Sequence, residues 1–281
     1  MKKSEDRAAT RVSAAGRWTF LASALLIGLR TTVAHSNFSR EESAYFLSSP
    51  AISIGFSVPP ARVTIVDSAG RLTGVDPASP ISAVGEGVEL AQIPYSQTFS
   101  MNTSNDDGPN LGAQNSQTDW GCDIATRTDQ IYEIRVLGIN DGVETLRLVA
   151  GGARGWVQDP ISPLADHRLL VSPGKVRKLT VHFDPVGRSV VLSRVVAPQD
   201  LSDDVATACR LNLITPDGIC RSLTAKAVSA KAALSRGKKR TAANQIQSFI
   251  NELNAQDSQH VLDPASFILR DEAQTLLKSL K

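Results

Sequence analysis

The chain has 281 residues, of which 42% are hydrophobic and 21% charged, with 30 Lys and Arg against 28 Asp and Glu. That length and apolar content suit two domains with packed cores of their own. A net charge of +2, with the one dense basic run carrying no interleaved aromatic, argues against a nucleic-acid binder.

At the N-terminus, Lys2, Lys3, Arg7, Arg11 and Arg17 form a basic head before the apolar run 18–29. A run of that length falls short of the roughly 20 residues that span a bilayer, but it matches the core of an export signal. Thr32-Val33-Ala34 places small residues for cleavage after Ala34, so residues 1–34 are read as a signal peptide; an uncut N-terminal anchor is the alternative. No cysteine follows the core, which argues against a lipid anchor. Cleavage would leave 24 basic and 26 acidic residues, so the basic pI belongs to the leader.

Residues 35–49 read as a linker and residues 50–200 as a β domain. The run 62–66 is a strand, turned by Asp67-Ser68-Ala69-Gly70 into 72–75, and 88–93 is another. Runs 131–137 and 144–149 alternate about Asn140-Asp141-Gly142, which predicts a hairpin. Runs 179–183 and 189–195 predict a second about Asp184-Pro185-Val186-Gly187, a type I turn. Seven or more short strands predict a two-sheet sandwich of immunoglobulin-like or Greek-key form.

Residues 102–123 read as a long polar loop between strands. Asp106, Asp107, Asp119 and Asp123, with Asn102, Asn105 and Asn110, offer oxygen ligands for calcium. No EF-hand spacing is present, and Asp106-Asp107-Gly108 is equally a solvated turn. Trp120 and Trp156 are candidate contact residues for stacking on a sugar ring, with partial core burial as the alternative. Gly151-Gly152-Ala153-Arg154-Gly155 follows a strand without opening a helix, so it reads as a turn and not a phosphate cradle.

Catalytic signatures are missing: there is no Gly-x-Ser-x-Gly elbow, no His-Glu-x-x-His helix and no dinucleotide fingerprint. His167 beside Asp166 and His182 beside Asp184 form a triad only on paper, and His182 falls in an alternating strand. Cys209 and Cys220 flank the joint between the middle region and the C-terminal helices. A disulfide there fits an exported chain, leaving Cys122 free or paired between chains. No Cys-x-x-Cys and no histidine at ligand spacing support a metal site instead.

Residues 205–281 read as a three-helix domain. The first helix opens at Thr215-Pro216-Asp217, with the threonine hydroxyl as cap, and stops at Gly237. The second covers 239–255, with Ala243, Ile246, Phe249, Ile250 and Leu253 inward. The third starts at Asp263-Pro264 and buries Phe267, Ile268, Ala273, Leu276, Leu277 and Leu280. Residues 215–281 carry 10 basic and 6 acidic side chains, against 14 and 20 in residues 35–214. That polarity suits docking between the two domains, docking of the basic bundle on an acidic polymer, or ordinary solvated surface; Arg236, Lys238, Lys239 and Arg240, candidate contact residues, form the one dense basic run.

Gly218-Ile219, Ser222-Leu223, Lys226, Ala232-Ala233-Leu234 and Arg236-Gly237 resemble the first helix of the FIMAH domain of secreted bacterial proteins. Ala242-Ala243-Asn244-Gln245-Ile246, Phe249-Ile250, Leu253 and Ala255-Gln256 resemble its second helix, and Ala273, Leu276-Leu277 and Leu280 its third. Cys220 and Ser258-Gln259-His260 depart from the family pattern. The stretch from Val66 to Pro77 also looks like the opening of sandwich domains in such proteins. The resemblance implies an accessory module without an active site.

The expected function is therefore non-catalytic: contact with an envelope protein or a surface polysaccharide, at or outside a bacterial cell envelope. No cofactor is expected, with calcium at the polar loop as the one alternative. A small secreted hydrolase, a carbohydrate-binding accessory and a structural spacer or oligomerisation element are the alternatives.

Overall fold

The computed structural model describes residues 41, 44–45, 48–58, 60–78, 89–102, 118–152, 155–158, 166–186 and 189–280. The export segment and the candidate ligands Asp106 and Asp107 lie outside the described residues.

Alternating apolar residues build two antiparallel sheets. The strands are β1 (Ala51–Val58), β2 (Ala61–Val66), β3 (Leu72–Val75), β4 (Glu89–Ala91), β5 (Ser96–Asn102), β6 (Thr118–Ala125), β7 (Gln130–Gly138), β8 (Gly142–Gly152), β9 (Gly155–Gln158), β10 (Asp166–Val171), β11 (Val176–Asp184) and β12 (Ser189–Arg194). One sheet runs β10-β8-β1-β6-β5, with β9 also on β8, and the other runs β12-β11-β7-β2-β3-β4. Period-two alternation sends Ile52, Ile54 and Phe56 of β1 to the same core as Ile134 and Val136 of β7 and Val181 and Phe183 of β11. Each large apolar side chain fully buried there stabilises the fold by about 2 kcal/mol relative to exposure.

Among the described residues the β region is an open two-sheet sandwich without barrel closure. At one side, Thr73 Oγ1 and Ser96 Oγ lie 2.6 Å apart, and Thr98 Oγ1 donates to the Leu90 carbonyl at 3.1 Å, tying β3 and β4 to β5. At the other side, where β10 and β12 are the edges, helices cover the sandwich.

The hairpin expected about Asn140-Asp141-Gly142 is overturned. β7 pairs with β2 and β11, whereas β8 pairs with β1, β9 and β10, so the chain changes sheets at this turn. The β1–β2 connection crosses at the same place: the N–H groups of Ile139 and Asn140 donate to the Pro60 carbonyl at 2.9 and 3.2 Å. A Cβ at Gly142 would meet the Pro60 ring at 2.5 Å, so glycine is required by this close crossing of two arches. The β11–β12 hairpin is present, from Leu179 opposite Arg194 to Asp184 opposite Ser189. In the glycine-rich run, Gly152 of β8 stands opposite Gly155 of β9, and Ala153 and Arg154 lie outside the described residues.

The polar loop is shorter than expected. Trp120, Cys122 and Ile124 alternate into the core, so β6 already begins at Thr118 and pairs with β5.

Four helices follow, where three were expected: α1 (Pro198–Arg210), α2 (Asp217–Ser235), α3 (Lys239–Gln256) and α4 (Ala265–Ser279). The extra helix starts with proline in its first turn, and the Asp200 carboxylate accepts the Ala197 N–H at 2.8 Å. Its Leu201, Val205 and Ala208 stripe joins Leu223, Phe249, Leu253, Ile268 and Leu276 in the bundle core. Gly237 stops α2 with φ of +70°. Neither expected cap forms: Pro216 and Pro264 are the cap residues and no side-chain cap bond is made. Thr215 instead donates its N–H to the His260 carbonyl at 2.7 Å, and Asp263 accepts from Arg168 at 3.0 Å. Phe267, expected in the core, is 53% exposed, while Glu272 takes a buried position on the same helix.

Strand β10 unites the two regions. Its Leu169 and Val171 belong to the sandwich core, and Leu170 between them belongs to the bundle core. Residues Asn37–Lys281 accordingly form one compact unit.

Candidate functional site

The main concentration of buried charge among the described residues lies where the helices meet the sandwich edge. Arg177 follows the inward parity of Leu179, Val181 and Phe183 on β11, and Arg194 follows that of Val190 and Leu192 on β12. The core alternation of two neighbouring strands thus ends in two guanidinium groups, and helices α1 and α4 supply their partners.

Arg177 Nη1 lies 2.5 Å from Asp200 Oδ1, and its Nη2 contacts Asp204 Oδ1. Arg194 Nη2 lies 2.6 Å from Asp271 Oδ2 and its Nη1 3.4 Å from Glu272 Oε1. Lys175 pairs with Asp203 at 3.0 Å. Asp204 and Glu272 are only 1% and 3% exposed. Beside them is a cavity of about 360 Å³, lined by Arg177, Lys178, Arg194, Asp200 and Glu272 with Leu169 and Leu179 as apolar wall.

Burial pushes the Asp204 carboxyl well above the usual carboxylate range, and the negative Glu272 beside it adds to the rise. Burial also raises Glu272, against the pull of Asp204 and Arg194. Burial opposes the charge on Arg177, but Asp204, Glu272 and Asp200 outweigh it and hold the guanidinium above its ordinary value.

A second cleft, about 170 Å³, opens on the sandwich between Tyr45, Asp67, Arg71, Tyr95, Thr126 and Tyr132. Tyr45 stacks on Tyr95 with centroids 3.9 Å apart, and the Arg127 guanidinium lies 4.6 Å from the Tyr45 ring centre. Burial raises Asp67, but the Arg71 side chain and the N–H groups of Arg71 and Ala69 hold its carboxyl below the usual range. Burial pushes the Tyr132 phenol upward.

The structure separates most of the residues singled out from sequence. Trp120 is 7% exposed and belongs to the sandwich core, so as a sugar-stacking surface it is excluded by its packing. Trp156 lies on β9, its side chain outside the described residues. Asp119 and Asp123 stand on β6, not in a loop; the Asp119 side chain is outside the described residues. Asp123 is 1% exposed and accepts from Gln97 at 3.0 Å, which is a paired core carboxyl and not an open calcium ligand. Among the described residues no group of three His, Cys, Asp or Glu side chains could hold a metal ion. His167 is on β10 and His182 on β11, in different sheets, and His182 Nε2 lies 2.6 Å from Asp129 at the surface.

Cys209 and Cys220 form the expected disulfide, between the last turn of α1 and the first turn of α2. Cys122 is free and buried. Arg236, Lys238, Lys239 and Arg240 are all exposed on the α2–α3 turn, and among the described residues none of them has an acidic partner. The sequence pattern did not point to Arg177, Arg194, Asp204 and Glu272. Their one visible signal was a charged residue at an inward position of an otherwise apolar stripe.

No protein family matches the chain, and no curated protein does. The chain is similar to the crystal structure of a domain of unknown function, DUF4425, from Bacteroides vulgatus ATCC 8482. That likeness has 10% identity and a TM-score of 0.19, over 53% of this chain and 98% of the other. A likeness of that size assigns neither fold nor function.

Proposed function

We propose that this is a non-catalytic contact protein, exported to the cell envelope, which grips an acidic surface polysaccharide with the turn between α2 and α3. The observation that supports the reading is the isolation of its cations. Arg71, Arg135, Arg168, Arg177, Arg194, Arg210 and Arg270 all contact carboxylates. Arg236, Lys238, Lys239 and Arg240 stand together, exposed and without such partners among the described residues. Four adjacent unneutralised cations on a helical corner attract a polyanion and release it when salt screens them. The resemblance of α2–α4 to the FIMAH domain, an accessory module, agrees with that role. The disulfide agrees with an oxidising compartment.

The test is retention of the chain on immobilised polyuronate beside a neutral glucan. We expect retention on the polyuronate that disappears near about 1 M salt, where the screening length is about 3 Å. It should also disappear when Arg236, Lys238, Lys239 and Arg240 are all replaced by Ser with the helical spectrum unchanged. Equal retention of that variant, or binding to the neutral glucan alone, would sink the reading.

A further inference from the structure

We propose that the seam between sandwich and bundle is a proton-operated clasp, in which one proton shared by Asp204 of α1 and Glu272 of α4 holds the two helices together over Arg177 and Arg194. Loss of that proton places two negative charges in contact and loosens the bundle from the sandwich edge.

The stoichiometry of the cluster carries the inference. Arg177 already has Asp200 as a partner, and Arg194 already has Asp271. Asp204 and Glu272 are each the second carboxyl on an engaged guanidinium, and both are buried while the first partners reach solvent. The two buried carboxyls are within hydrogen-bonding reach of each other. One oxygen of each, Asp204 Oδ2 and Glu272 Oε2, finds no N–H or O–H donor among the described residues. Two ionised carboxylates offer only acceptors, so such a contact cannot satisfy either oxygen. A single proton between them satisfies both and removes the like-charge repulsion.

The surrounding charges leave no other donor among the described residues. Helix α1 presents Asp200 and Asp203 besides Asp204, and α4 presents Asp271 besides Glu272. The β10–β11 turn brings Lys175, which is held by Asp203, and β11 brings Lys178, which lies 3.4 Å from Glu133 of β7. Glu133 is also 2.5 Å from Arg135. β10 faces this region with the apolar Leu169 and Leu170, its Arg168 being engaged by Asp263.

Burial raises both carboxyls above their ordinary values, so the folded chain keeps a proton that the unfolded chain releases. The clasp is fully closed below the ordinary carboxyl range and opens as pH rises through the raised value. This is the reverse of what surface ion pairs do.

The experiment uses the whole chain and follows carboxyl carbon resonances against pH, with Asp204→Asn and Glu272→Gln for assignment. Amide protection of α1 and β11 is followed beside it. In the parent protein one carboxyl of the pair should titrate well above the exposed carboxyls. Protection of α1 should fall at least about tenfold between about pH 5 and about pH 8, which is what linkage requires once the clasp holds its proton about a hundredfold more tightly than the open chain does. In Asp204→Asn the amide donates to Glu272 at every pH, so that fall should vanish. Titration of both carboxyls in the ordinary acidic range, or an unchanged fall in Asp204→Asn, would overturn the clasp. Should the variants fail to fold, through-bond assignment of the Asp204 and Glu272 carboxyls separates them from Asp123, whose carboxyl burial also raises, and the parent titration then decides by itself.

Discussion

Arg210 at the last turn of α1 grips Asp141 in the sheet-to-sheet crossover with two parallel bonds, Nε to Oδ2 at 2.7 Å and Nη2 to Oδ1 at 2.8 Å. The fork–fork geometry gives direction to the docking of the helix, but Arg210 is half exposed and screening limits its worth. A double-mutant cycle with Asp141→Asn and Arg210→Gln should give a coupling of about 0.5–1 kcal/mol at low salt and less at high salt. The Arg210 bond, partly opposed by burial, holds the Asp141 carboxyl below its ordinary value. A lowered carboxyl contributes stability above its unfolded value and loses it as pH falls through the lower one. Urea denaturation at neutral pH should therefore show the coupling, and denaturation in strong acid should not.

The disulfide between Cys209 and Cys220 closes a short loop, with a sequence separation of 11 and Cα atoms 6.0 Å apart. It ties the end of α1 to the start of α2, so its loss frees both the loop and the angle between the helices. Replacing both cysteines with serine should lower stability by about 2–3 kcal/mol, read from thermal or urea midpoints. Cys122 provides the internal control. It is fully buried, and burial pushes its thiol up to about 12, so it should resist alkylation until the chain unfolds. Labelling of Cys122 in the native protein would show that β6 opens without global unfolding.

The C-terminal helices were legible because local rules govern them. Gly237 stops one helix and the apolar spacing of Ile246, Phe249, Ile250 and Leu253 reports the next without tertiary information. The caps failed because the cap position falls one residue later than expected, on Pro216 and Pro264, which carry no side-chain acceptor, and the Asp263 carboxylate is engaged by Arg168. The β7–β8 turn misled for a related reason. Asn140-Asp141-Gly142 has hairpin chemistry, but Gly142 serves the close passage of Pro60, and turn residues alone do not say which sheet receives the next strand. The charge cluster was illegible because its members come from β11, β12, α1 and α4 and meet only in the folded chain. The Cys209–Cys220 pair was readable because both partners flank one joint.

Leu170 decides whether the two regions are thermodynamically one. It is fully buried, sits opposite Val143 in the β8–β10 pairing, and packs with Leu201, Leu269 and the other bundle residues instead of the sandwich core. Leu170→Ala should cost about 2–5 kcal/mol, the transfer term plus a cavity at a site fixed by strands on one side and helices on the other. The probes for locating the loss are built in, since residues 198–281 contain no Trp or Tyr while Trp120, Trp156, Tyr95 and Tyr132 lie in the β region. Aromatic fluorescence reports the sandwich and helical ellipticity is dominated by the bundle. If β10 couples the two cores as its alternating contacts require, both signals should shift to lower denaturant together in Leu170→Ala. Early loss of helical signal with unmoved fluorescence would show instead that the bundle melts from a sandwich that stands without it.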